Sequence, residues 1–167
     1  RYVFRSKVKL TPRSDLGVEG HWDAPSARTS HEVSLPWPGG RRIDIHPTPP
    51  VGYASGDVES LVRWKQADLR VGIPRLDATQ SAQWTPQQLS LDRLQAFSVK
   101  KGCYPGQEIV ARTHFLGQAK RGLRLLESAE DIAPGSEVSD GERAIGSVVS
   151  TAGAVAIAVL PAGAEPR

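Results

Sequence analysis

The chain has no methionine and a single cysteine, Cys103, in 167 residues. One thiol excludes an internal disulfide framework and any metal site built from several thiolates of the same chain. It fits a reducing compartment, so a cytoplasmic protein is expected. No apolar run approaches the roughly 20 residues of a membrane-spanning helix, and no membrane association is expected. There is no phosphate-binding loop of the GxxxxGK[ST] type, no internal repeat and no low-complexity tract. The want of methionine, with an opening Arg1-Tyr2-Val3-Phe4-Arg5 that reads like the middle of a strand, leads us to expect a piece of a longer protein.

What is present is ordinary for a globular protein: 39% hydrophobic and 23% charged residues, in a length that can bury one good core or a medium domain plus a small one. The net charge is +3, but the basic residues are scattered: Arg1, Arg5, Lys7 and Lys9, then Arg41-Arg42, Lys100-Lys101 and Lys120-Arg121. Scattered cations read as solvated surface, so stable nucleic-acid binding is not expected. His21, His31 and His46 lack the short regular spacing of a metal motif and read as scattered surface histidines; no metal site is expected.

Along the chain, Arg1 to Leu10 alternates like a half-buried strand, while Thr11 to Ser30 shows no clear periodicity. Glu32–Leu35 and Arg41–His46 flank Pro36-Trp37-Pro38-Gly39-Gly40, predicting two strands joined by a reversal. Ser55 or Asp57 can cap a helix running to about Arg70, with Val58, Leu61, Val62 and Leu69 as its apolar stripe. Trp64 lies about 120° from the centre of that stripe, so it either covers a second neighbour or stacks on a flat ligand. Gly72-Ile73-Pro74 ends the helix. Arg75 to Ser90 reads mostly as loop, and Asp92 to Phe97 as a short helix or turn. Beyond Gly117 the texture changes to short strands, Ala119–Leu126, Ala144–Ser150 and Ala154–Leu160, with turn signals at Pro134-Gly135 and Asp140-Gly141, predicting a small closed β-module.

The organising stretch is Ser98 to Arg112. Gly102 and Gly106 bracket Cys103, Tyr104 and Pro105 in a shaped turn, and Gln107 to Arg112 starts a helix with Glu108 and Arg112 at the i, i+4 spacing of an ion pair. Lys100, Lys101 and the helix start favour the thiolate of Cys103. The same cysteine could be a small buried hydrophobe, and composition alone leaves both readings open.

The block Lys101-Gly102-Cys103-Tyr104-Pro105-Gly106-Gln107-Glu108 resembles the K-G-C-[YF]-x-G-Q-E signature of the YgfZ-type folate-binding proteins, relatives of the glycine-cleavage T-protein. Gly72-Ile73-Pro74, Pro86-Gln87 ahead of Leu91, Ala111-Arg112, Gly117 and Lys120-Arg121 follow in the order of that family. The likeness covers about Trp64 to Leu126; the flanks match in outline only. The resemblance implies an α+β protein. Residues 1–116 would be the second α/β lobe of a T-protein-like folate-binding fold, without its N-terminal lobe, and residues 117–167 a small C-terminal β-barrel. It implies tetrahydrofolate as cofactor and iron–sulfur client enzymes as partners, including those that methylthiolate tRNA. Cys103 matches the family's functional thiol, with Lys101 beside it. Trp64 falls where the family has a tryptophan lining the folate site, and Tyr104, Gln107, Glu108 and Arg112 carry over with the motif. A stacking Trp64, a Glu108 carboxylate for the amide-like pterin edge and basic residues for the glutamate tail would suit a reduced folate. An Arg112 partner would satisfy Glu108 equally well without ligand. The alternative on the same scaffold is a folate-dependent aminomethyltransferase or demethylase, although the T-protein branch does not carry this signature.

Overall fold

The computed structural model describes residues 11, 13–22, 33–47, 57–100, 106–117 and 120–166. They form an α+β arrangement of two antiparallel sheets and two helices. The expected strand over residues 1–10 lies outside the described residues. The chain divides into two compact units, Arg1–Leu61 and Val62–Arg167, and Gly117, where the sequence texture changes, lies within the second.

The first unit holds a three-stranded sheet of β1 (Leu16–His21), β2 (Val33–Trp37) and β3 (Arg41–Pro47) in the order β1-β3-β2. The expected hairpin is present, but Pro36 and Trp37 extend β2, so that Trp37 sits opposite Arg41 and only Pro38-Gly39-Gly40 turn the chain. Edge strands tolerate proline because one side of their ladder is unpaired. Gly39 and Gly40 take φ of 80° and 74°, a region costly for any residue with a β-carbon. β1 was not foreseen; two glycines in Leu16-Gly17-Val18-Glu19-Gly20-His21 hide its alternation.

Helix α1 (Val58–Arg70) begins where expected. Asp57 caps it: the Ser60 backbone N–H donates to Asp57 Oδ1 at 2.6 Å, and the Ser60 hydroxyl donates to Oδ2 at 3.2 Å. The other candidate cap, Ser55, lies outside the described residues. The helix ends in a Schellman turn, with Gly72 N–H donating to Leu69 O and Ile73 N–H to Asp68 O, and with Gly72 at φ 74°. The apolar stripe needs correction. Leu69 is fully buried, but Val58 is 78% and Leu61 51% exposed. The first turn is held by its cap, and only the last turn is sealed in a core. Trp64 is half-buried.

The cap has a pH signature. The Ser60 N–H, and then its hydroxyl, hold the Asp57 carboxyl below its ordinary value. A depressed carboxylate stabilises the fold above its unfolded value of about 3.9, and that contribution fades as pH falls through the folded value. Asp57→Asn is therefore expected to lose less resistance to urea between pH 5 and pH 3 than the wild type. Asp57→Ala should speed amide exchange at Ser60 and Leu61 several-fold. Identical acid profiles in the variant and wild type would remove the cap from the account.

In the second unit, β4 (Arg121–Glu127), β5 (Glu137–Ser139), β6 (Ala144–Ala152) and β7 (Val155–Pro161) form one antiparallel sheet in the order β4-β7-β6-β5. The expected closed barrel is not formed among the described residues. β4 and β5 remain as open edges, and β5, with only three residues, offers too short a ladder to close on β4. Every residue of β7 from Val155 to Leu160 is buried. Val155, Ile157 and Val159 pack with Leu69, Leu89, Val149 and Ala152 on one face. Ala156, Ala158 and Leu160 pack with Val138, Ile145 and Val148 on the other. A strand covered on both faces reads as a continuous apolar run, which is why Val155 to Leu160 shows no polar alternation.

Val148 and Val149 enter opposite cores, as successive strand residues do, and an irregularity between Val148 and Ser150 on β6 then sets Ser150 opposite Ile157. It also aims buried Ser150 at the loop after α1, where its Oγ accepts the Arg75 N–H at 2.9 Å and donates to the Arg75 carbonyl at 2.7 Å. Nearby, Asp77 caps a 3₁₀ turn, Ala78–Gln80, and the buried Gln80 side chain donates to the Val149 carbonyl at 2.8 Å.

Candidate functional site

The described part of the signature opens with Gly106 at φ 83°, the N-cap of helix α2 (Gln107–Leu116). The left-handed φ explains the second glycine of the motif: it turns the chain directly into the helix, whose first bond runs from Val110 N–H to Gly106 O at 3.2 Å. Only Val110 of α2 is buried. Its carbonyl accepts the Gln87 Nε2–H at 2.8 Å, tying α2 to the preceding loop. That loop is set by a reciprocal cap, in which Thr85 N–H donates to Gln88 Oε1 and Gln88 N–H to Thr85 Oγ1. Pro86-Gln87, part of the resemblance, thus has a structural duty: it positions the helix that carries Gln107, Glu108 and Arg112.

These three residues share one helix. Gln107 is half-buried and Glu108 and Arg112 are exposed. The expected Glu108–Arg112 ion pair is absent among the described residues; an exposed pair at this spacing gains too little to hold two long side chains in one geometry. Trp64 stands on α1, a separate element. Lys101, Cys103 and Tyr104 lie outside the described residues.

Beside α2 lies an open cavity of about 410 Å³, lined among others by Ser90, Asp92, Phe97, His114, Arg121 and Arg124. A larger one, about 630 Å³, is lined by Asp140, Glu142, Arg143 and Glu165. Asp140 is committed there to closing the turn, accepting the N–H groups of Glu142 and Arg143 at 3.0 Å, which hold its carboxyl below the usual range.

The histidines require a second correction. His21 and His46 are not scattered surface residues but converge with Glu19, Arg42 and Asp44 on one face of the first sheet. Asp44 is fully buried; Arg42 Nε donates to its Oδ1 at 2.7 Å, and His21 Nε2 lies 3.2 Å from Oδ2. Glu19 Oε2 lies 3.7 Å from His21 Nε2 and 3.8 Å from His46 Nε2. His31 lies outside the described residues. The alternation Arg42-Ile43-Asp44-Ile45-His46, which puts three polar side chains on one strand face, was the available signal. Among the described residues no group of three or more His, Cys, Asp or Glu is arranged to hold a metal ion, and no helix is long and apolar enough to cross a membrane.

No protein-family model matches the chain.

Proposed function

We propose that this chain is part of a folate-binding accessory protein that supports iron–sulfur cluster assembly or repair in client enzymes, including tRNA methylthiolation. The observation that carries the reading is the block Lys101 to Glu108, eight residues with one variable position, whose last two residues open helix α2. The reading is supported by Gly106, whose left-handed backbone suits the motif's glycine, and by Glu108, which forms no ion pair or side-chain hydrogen bond among the described residues and so remains available to a ligand. Trp64, half-buried, would offer a face to the pterin, Glu108 would accept from its amide-like edge, and Arg112 would meet an anionic group. Tetrahydrofolate would supply one-carbon chemistry where bound. The cluster is cargo, and Cys103, the one thiol of these 167 residues, would share it with a client or touch it in transit.

The test is complementation in cells lacking the YgfZ-type protein, comparing the full-length protein with its Cys103→Ser variant. The wild type is expected to restore methylthiolated tRNA and the activity of an iron–sulfur enzyme, and the folded serine variant to lose at least nine-tenths of that rescue. Equal rescue by both would assign Cys103 to packing. Product formed from an aminomethyl donor would move the protein to the enzyme class.

A further inference from the structure

We infer that the cavity beside α2 binds a small anion carrying one carboxylate or phosphate group, a site separate from the folate reading. Two arginines of β4, Arg121 and Arg124, border it. Arg121 is partly fixed, its Nη1–H donating to the Ile145 carbonyl at 2.9 Å, and its guanidinium carries four further N–H donors. Arg124 makes no ion pair or side-chain hydrogen bond among the described residues. A guanidinium without a protein acceptor, lining the same cavity as one already braced, can take a carboxylate or phosphate through paired N–H donors.

The opposing charges are Asp92 and the C-terminal carbonyls of α2, worth about half a negative charge. Two arginines against these leave the cavity positive by roughly half a charge, enough for one anionic group and too little for a polyanion. The half-buried Phe97 gives an apolar wall for the body of such a molecule.

A second observation points to the same wall. Only three non-glycine residues among those described take positive φ, and two of them, Ser90 at 49° and Gln95 at 51°, lie in the loop that lines this cavity. Each is a strained backbone position for a residue with a β-carbon, and such strain collects where a loop is shaped for binding. Ser90 is held there by its Oγ, which accepts the Leu123 N–H at 3.1 Å and so joins the loop to β4.

The 167-residue chain would be titrated by ¹⁵N NMR with sodium phosphate, with sodium acetate, and with sodium chloride at matched ionic strength. Saturable shifts at Gly122, Leu123 and the Arg124 Nε–H are expected with phosphate or acetate and not with chloride; the tighter of the two names the anionic group. Arg124→Gln should weaken binding at least tenfold and Arg63→Gln, on α1, less than twofold, with both variants unfolding at the wild-type temperature. Shifts that chloride reproduces, no saturation with either anion, or an unchanged affinity in Arg124→Gln would overturn the site. Folate binding is not read in this experiment, so its outcome and that of the folate reading are separable.

Discussion

Gly146→Ala should be strongly destabilising, for a clash with fixed backbone. A β-carbon at Gly146 would stand 2.2 Å from the Val159 carbonyl oxygen and 2.6 Å from Leu160 Cδ2. The first contact is with backbone of the central strand. Val159 is paired to Ser147 in the ladder and is itself buried, so its carbonyl cannot swing away without disturbing the register of β6 on β7. The φ of Gly146 is not in the left-handed region, and the whole effect is therefore steric. Overpacking a sheet core typically costs 1–3 kcal/mol, and a clash against fixed backbone belongs at the upper end, about 3 kcal/mol. For a chain of this size that lowers the thermal midpoint by roughly 6–12 °C. Gly117→Ala is the matching control: its backbone is extended and a β-carbon there meets nothing within 4 Å, so little change is expected. Equal midpoints for the two variants, measured by circular dichroism, would refute the tight approach of β6 to β7.

Arg75→Met is expected to cost about 2–3 kcal/mol. Asp68, in the last turn of α1, is fully buried, and both Nε and Nη2 of Arg75 donate to its Oδ2. Removing one partner of a buried pair leaves a charge with less compensation, and where none remains the usual cost is about 3–5 kcal/mol. Arg75 is half-exposed, and water reaching the vacated side reduces that figure. Arg75→Lys should recover part of the loss, since a single ammonium replaces a two-donor fork. The double variant Asp68→Leu/Arg75→Met should be more stable than Arg75→Met alone, because no charge is left stranded. Urea unfolding of the three variants decides the matter; a cost below 0.5 kcal/mol for Arg75→Met would show that Asp68 does not depend on this guanidinium.

The parts of the fold legible in the sequence were those with local causes. Gly39-Gly40 announced the reversal, Asp57 and Gly72 the two ends of α1, and the apolar run after Gly153 announced β7. What escaped had non-local causes. Val58 and Leu61 match a helical stripe, yet nothing in sequence says which turns of a helix a core will cover. Buried Asp44 and Asp68 run against the rule that carboxylates face water; Arg75 reaches Asp68 only because the helix stop brings it round, and His21 reaches Asp44 only through the register of β1 on β3. Short β5 has three residues and no periodicity to read. Of the candidate site, Gly106 and the start of α2 stand where the motif predicts, and Gln107, Glu108 and Arg112 follow on one helix. The Glu108–Arg112 pair did not form, because helical spacing permits such a contact without compelling it.

The strand order carries a consequence for synthesis. β7 lies between β4 and β6 in space but comes last of the seven described strands in the chain. A nascent polypeptide emerging from the ribosome has β4, β5 and β6 in hand for some time before the strand that joins them. At roughly 5–20 residues per second the wait is only seconds, yet β4 and the inner edge of β6 spend it unpaired. The late arrival is also the most hazardous piece: Val155 to Leu160 has no charge, glycine or proline, the composition that stacks into cross-β when left in water. Its safety in the finished protein rests on having a neighbour on each side and a core on each face.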